Sequence, residues 1–178
     1  MAKRAILPPE ALSSDTTAFF NVLNDESDFS VVLVATAYID ACLGALLARR
    51  FVESSISEKL LDPRSGALGS FAARADACYV LGLVPKPLYH DLVRLAEIRN
   101  QFAHYHLSLN FQQPQVAEQC GKLSYLGTLP RWDVKEWTPM FTPEMIQEPR
   151  VRFVFTTVMI TQRLLVDALG VERCAAKV

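Results

Sequence analysis

The string Arg99-Asn100-Gln101-Phe102-Ala103-His104 places a permanent cation, an amide and an imidazole on one short stretch of chain. A guanidinium can stabilise charge on phosphorus oxygens. An imidazole, with an ordinary pKa of about 6.5, can take or give a proton near neutral pH. Arg99, Asn100 and His104 therefore hold the parts needed to cleave RNA through its 2′-hydroxyl. Geometry works against them: on an uninterrupted helix, side chains five residues apart point roughly 140° from one another. They converge only if the helix ends there or a second subunit completes the site. His90 reads as a surface residue and His106 as a helix-end residue. The three histidines match no metal-binding helix pattern, so no metal and no cofactor is expected.

Arg99 also stands out by its place on the helical wheel. With Leu88 at zero, Leu92, Leu95, Phe102 and Ala103 fall within roughly 60°, and Arg99 sits at roughly 20°. An arginine cannot lose its proton, so on an inward face it must meet a carboxylate, a carbonyl or the anion of a ligand. Asp28, Asp40 and Asp76 are the candidate partners on neighbouring helices. One reading is a buried Arg–Asp pair that sets helix register; the other is a cation that holds a ligand or partner.

The elements that must position these residues are helical. Residues 11–23 have the apolar spacing of a first helix, with Ser13, Ser14 or Asp15 as caps. Ser27 or Asp28 then caps a long, apolar central helix that ends near Arg49-Arg50-Phe51, where cations suit the helix dipole. A short turn over 57–61 leads into Asp62-Pro63-Arg64-Ser65-Gly66, a loop by its Pro and Gly content. Helices follow over 70–81, closed by Gly82, then from Pro87 to His104 or His106, and from Pro114 to Leu123. Residues 124–149 read as an irregular segment packed by Trp132, Trp137 and Phe141. The stretch 151–161 is rich in β-branched and aromatic residues, which favour a strand. Pro149 and Gly170 nevertheless frame it as a helix over about 150–169. The fold expected is all-α: a single-domain bundle of about six to seven helices across residues 1–178.

Composition narrows the function. The chain has 178 residues, 51% of them apolar, enough for one core without disulfides or a structural metal. Cys42, Cys78, Cys120 and Cys174 are far apart and read as buried thiols in a reducing compartment. Lysine and arginine number 18 against 19 acids, a net charge of -1. Tight gripping of nucleic acid normally needs a basic excess. The pairs Lys3-Arg4, Arg49-Arg50 and Arg150 with Arg152 are too sparse for a patch, so DNA association is expected to be weak or indirect. The apolar run 31–48 has Asp40 near its middle, which costs about 2.5–3.5 kcal/mol at a bilayer centre. A soluble cytoplasmic protein without a membrane span is expected.

Gly66-Ala67-Leu68-Gly69-Ser70-Phe71-Ala72-Ala73-Arg74, followed by Tyr79-Val80-Leu81-Gly82-Leu83-Val84, resembles the central signature of the mannitol operon repressor family. Tyr89-His90-Asp91-Leu92 and Ile98-Arg99-Asn100-Gln101-Phe102-Ala103-His104 are also similar to it. So is Glu26-Ser27-Asp28 with the long helix through Tyr38-Ile39-Asp40. These blocks span about residues 19–126 in order and at consistent spacing. Phe29 departs from the pattern, since many relatives carry an arginine there. The resemblance implies a repressor-like regulator of sugar-alcohol uptake genes that works as a homodimer, through a protein partner, and not as an enzyme. Arg99, His104, Asp28, Asp40 and Arg74 are the residues expected to hold a ligand or that partner. The Arg99–His104 block is similar to the Arg–polar–His signature of HEPN ribonucleases. That alternative implies a metal-independent RNA-cleaving or RNA-binding protein using Arg99, Asn100 and His104.

Overall fold

A computed structural model describes residues 6–105, 109–128 and 145–171. Its α-helices are α1 (Pro9–Ser14), α2 (Thr16–Asp25), α3 (Asp28–Arg50), α4 (Ser55–Leu61), α5 (Phe71–Val80), α6 (Lys86–Tyr105), α7 (Pro114–Gly121) and α8 (Pro149–Leu169). Single 3-10 turns lie at Tyr125–Thr128 and Met145–Gln147, and no β-strand element occurs among the described residues. The expected packing by Trp132, Trp137 and Phe141, and the positions of His106 and Cys174, lie outside the described residues.

Local chemistry accounts for most boundaries. Ser27, Ser54 and Ser70 each accept a backbone N–H three residues on, starting α3, α4 and α5. Glu148 does the same for α8 by accepting from Val151 N at 2.7 Å. α5 ends in a Schellman arrangement: Gly82, at φ 69°, lets Leu83 N reach the Cys78 carbonyl at 2.8 Å. The single helix expected over 11–23 is instead two. Ser14 and Thr16 turn their hydroxyls back onto the carbonyls of Ala11 and Ser13, and the ladder is interrupted between them. The ambiguous C-terminal stretch is helical. Its buried residues Phe153, Thr156, Thr157, Ile160, Leu164 and Ala168 recur at three- and four-residue intervals, a helical face with no strand alternation.

α3 is the axis of the bundle, flanked by α8 along its length and by α5, α6, α2 and α1. Val31, Val32, Ala35, Ile39, Leu43 and Leu46 on it are all sealed from solvent. Each large aliphatic side chain so buried contributes about 1.5–3 kcal/mol. Among the described helices, α3 alone is long and apolar enough to cross a membrane. Here its apolar surface packs against other helices. Phe102 of α6, Phe111 and Phe153 of α8 form a second focus, with ring centroids 5.8 and 5.2 Å apart in sequence.

Burial pushes the thiols of Cys42, Cys78 and Cys120 up to about 12. At neutral pH these thiols carry almost no thiolate, the reactive form. Native protein treated with iodoacetamide should leave all three unmodified by peptide mapping, and urea-unfolded protein should label them fully. Rapid labelling of any one in the native state would contradict the packing described.

Candidate functional site

Two charged residues of the sequence signature, Asp40 and Arg74, meet where α3 and α5 pack together. Arg74, on α5, is only 3% exposed. Its Nη1 pairs with Asp40 Oδ2 at 2.9 Å, and the same guanidinium donates to three carbonyls: Leu68 at 3.0 Å, Asp40 at 3.2 Å and Leu61 at 3.0 Å. Room for it comes from α3, where a Cβ at Gly44 would stand 3.4 Å from the guanidinium carbon. The connection from α4 to α5 folds tightly enough that a Cβ at Gly66 would lie 2.3 Å from the Leu60 carbonyl oxygen. One at Gly69 would lie 2.4 Å from that of Asp62. The Gly66–Arg74 signature is thus a tight loop whose arginine reaches back to the carbonyl of Leu68 and, ahead of the loop, to that of Leu61. Burial raises the Asp40 carboxyl above its ordinary value, against the pull of Arg74 and, more distantly, Arg99.

Arg99 is not the inward arginine. It is exposed, and its Nη1 donates to Asn100 Oδ1 at 3.1 Å. In the last turns of α6 the buried positions are Ile98 and Phe102. The stripe has rotated there toward Phe111, so the wheel centred on Leu88 no longer marks the core side. The register-setting Arg–Asp pair exists, but Arg74 supplies the cation and Asp40 the carboxylate. Asp76 instead accepts from Tyr89 Oη at 2.8 Å.

Asp28 ties the other end of the bundle. One oxygen pairs with Arg150 of α8 and the other accepts from Phe111 N at 3.0 Å. Arg150 also donates to the carbonyls of Glu26, at 2.8 Å, and Leu23, at 3.3 Å. Asp91, read from the sequence only as part of a motif, is fully buried. Its carboxylate accepts from Ser124 N at 2.9 Å and Tyr125 N at 2.8 Å, fastening the chain after α7 onto α6. A signal for it existed: on the wheel centred at Leu88, Asp91 falls at roughly −60°, inside the apolar face.

The structure pairs Asp40 with Arg74, leaves Arg99 near them only as a more distant charge, and places Asp28 elsewhere. His104 is exposed at the end of α6. Neither Arg99 nor His104 lines either of two surface clefts, one between residues 6–9, α3 and α4 and one between α2 and α8. Among the described residues, no group of three or more His, Cys, Asp or Glu is placed to hold a metal. A different surface is open at the elbow between α5 and α6. Val80 is 82% exposed and Leu81 53%, beside Tyr79 and Tyr89 stacked with centroids 4.6 Å apart. Exposed apolar groups gathered in this way mark interaction surfaces.

A family profile described as mannitol repressor matches residues 18–166. The fold is similar to that in the X-ray structure of the MtlR–HPr complex from Escherichia coli. That likeness has a TM-score of 0.64 at 18% identity and covers 85% of this chain and 98% of that one. It is also similar to the crystal structure of a possible transcriptional regulator, YggD, from Shigella flexneri. There the TM-score is 0.60 at 14% identity, over 92% of this chain and 99% of that one. No protein of curated function matches the sequence. With the profile running from α2 through nearly all of α8, the chain belongs to the mannitol repressor family of repressor-like transcriptional regulators.

Proposed function

We propose that the chain acts as one helical domain, in the cytoplasm and as a homodimer, that regulates sugar-alcohol uptake genes through a protein partner. The observation that carries this reading is the state of its cations. Arg49, Arg74, Arg94, Arg150 and Arg163 each pair with a carboxylate of the same chain. Arg152 donates to the Leu123 carbonyl at 2.6 Å. Phosphate neutralisation drives DNA affinity, and cations already paired internally supply little of it. The similar E. coli fold was solved as a complex with HPr, which supports a partner of that kind. The open elbow at Tyr79, Val80 and Leu81 is the surface assigned to it. A regulator of this type needs no reaction centre.

Calorimetric titration of the protein with HPr is expected to show saturable binding, weakened at least tenfold by Val80→Asp with the fold intact. Mobility shifts with duplex DNA are expected to show only weak, salt-sensitive association. Sequence-specific, nanomolar DNA binding by the protein alone would overturn the partner-mediated reading. Unchanged HPr affinity in Val80→Asp would move the surface and spare the reading.

A further inference from the structure

α8 is apolar on more than the side it buries. With Gln162 at zero on the helical wheel, Val158, Met159, Val166 and Leu169 fall within roughly 60° of it. Val158 and Met159 are half-buried, whereas Val166 is 66% exposed and Leu169 46%. The opposite side carries Phe153, Ile160 and Leu164, which are sealed in the core. A helix that is apolar all round is normally buried all round, and Val166 and Leu169 depart from that rule.

These two residues border a groove of about 350 Å³ between α2 and α8, with Thr16 and Phe20 on one side and Thr161 and Leu165 on the other. Thr161 is 1% exposed, and its hydroxyl has no hydrogen-bond partner among the described residues. Buried hydroxyls are nearly always paired, so this one marks a place for a polar group from outside the fold.

The groove is also free of charge. In the whole chain 21% of residues are charged, yet no Asp, Glu, Lys or Arg is among the described residues that line it. On the same stretch of α8, Arg163 and Asp167 pair with each other at 2.7 Å. That neutrality selects the occupant. A strongly acidic or basic partner would find no opposite charge to steer it, and an anionic membrane no cluster of cations. A two-fold contact sets a face against its own copy, so net charge on that face would meet its like. A neutral face with exposed apolar knobs beside a groove meets this condition.

We infer that the C-terminal half of α8 and its groove with α2 are the surface on which two copies of this chain join. Val166 and Leu169 of each copy enter the groove of the other. Gln162 sits near the two-fold axis, where its amide, both donor and acceptor, meets its counterpart and the Thr161 hydroxyl. The inference rests on the homodimer reading above and adds the face that makes it. The elbow at Tyr79, Val80 and Leu81 shares no residue with this face.

The test is sedimentation velocity of the full chain over a concentration series. Wild type should dimerise. Val166→Glu and Leu169→Glu should each weaken the dimer by about tenfold or more, because each buries a carboxylate from both copies in one apolar contact. Both positions are exposed in the single chain, so the circular dichroism of the variants should match wild type. In a Cys174→Ser background, Gln162→Cys should give a disulfide-linked dimer on mild oxidation, with Cys42, Cys78 and Cys120 buried out of reach. A wild type that is monomeric throughout removes the homodimer, and the inference with it. A dimer that persists in both glutamate variants leaves the homodimer standing and overturns this face. If those variants also lose HPr binding, the face belongs to that partner instead. Absence of the Gln162→Cys link overturns the placement of the axis.

Discussion

Arg74→Ala is expected to destabilise the protein by about 3–5 kcal/mol, the usual result of removing one member of a buried ion pair. The loss has several parts. Asp40 keeps a carboxylate that burial already disfavours, with only the more distant Arg99 to offset it. The carbonyls of Leu61 and Leu68 lose their guanidinium donors, and a gap opens over Gly44. For a chain of this length the melting temperature should fall on the order of 10 °C. Urea denaturation should show a lower midpoint with an unchanged slope. Adding Asp40→Ala should recover only part of the loss, because the two carbonyls still lack donors. Arg99→Ala is the contrasting case: its side chain is exposed and bonded to the adjacent Asn100, so the change should stay within about 0.5 kcal/mol. If Arg99→Ala proves the more damaging of the two, Arg74 is not the keystone of this junction.

Asp91→Ala should have the next largest effect. It removes a fully buried carboxylate and leaves Ser124 N and Tyr125 N without their acceptor. A buried donor left unsatisfied costs about 1–3 kcal/mol, so a total of about 3–4 kcal/mol is expected. Hydrogen exchange localises the effect: the amides of Ser124 and Tyr125 should lose protection well beyond the global change. Asp91→Asn keeps the shape and one acceptor oxygen and should cost about half as much. Wild-type protection of those two amides in Asp91→Ala would show that something other than the carboxylate holds the segment.

These two residues divide what sequence and tertiary structure each decide. The helices were legible because their causes are local. Serine caps, proline at first turns, glycine after α5 and the spacing of apolar residues act within a few residues of where they are read. The long apolar helix declared itself a core element for the same reason. Family membership was legible too, since ordered motifs survive in the one-dimensional string. The partner of each buried charge was not. Arg74 and Asp40 are 34 positions apart, and Arg150 and Asp28 are 122 apart. Nothing in the spacing distinguishes these pairs from the alternatives. Arg99 was misplaced because a wheel assumes one neighbour along the whole helix. α6 passes from α5 and α3 to the Phe111 segment, and its buried face turns with the change of neighbour. Which charge is buried is decided by the packing of several elements at once, and that exists only in the folded chain.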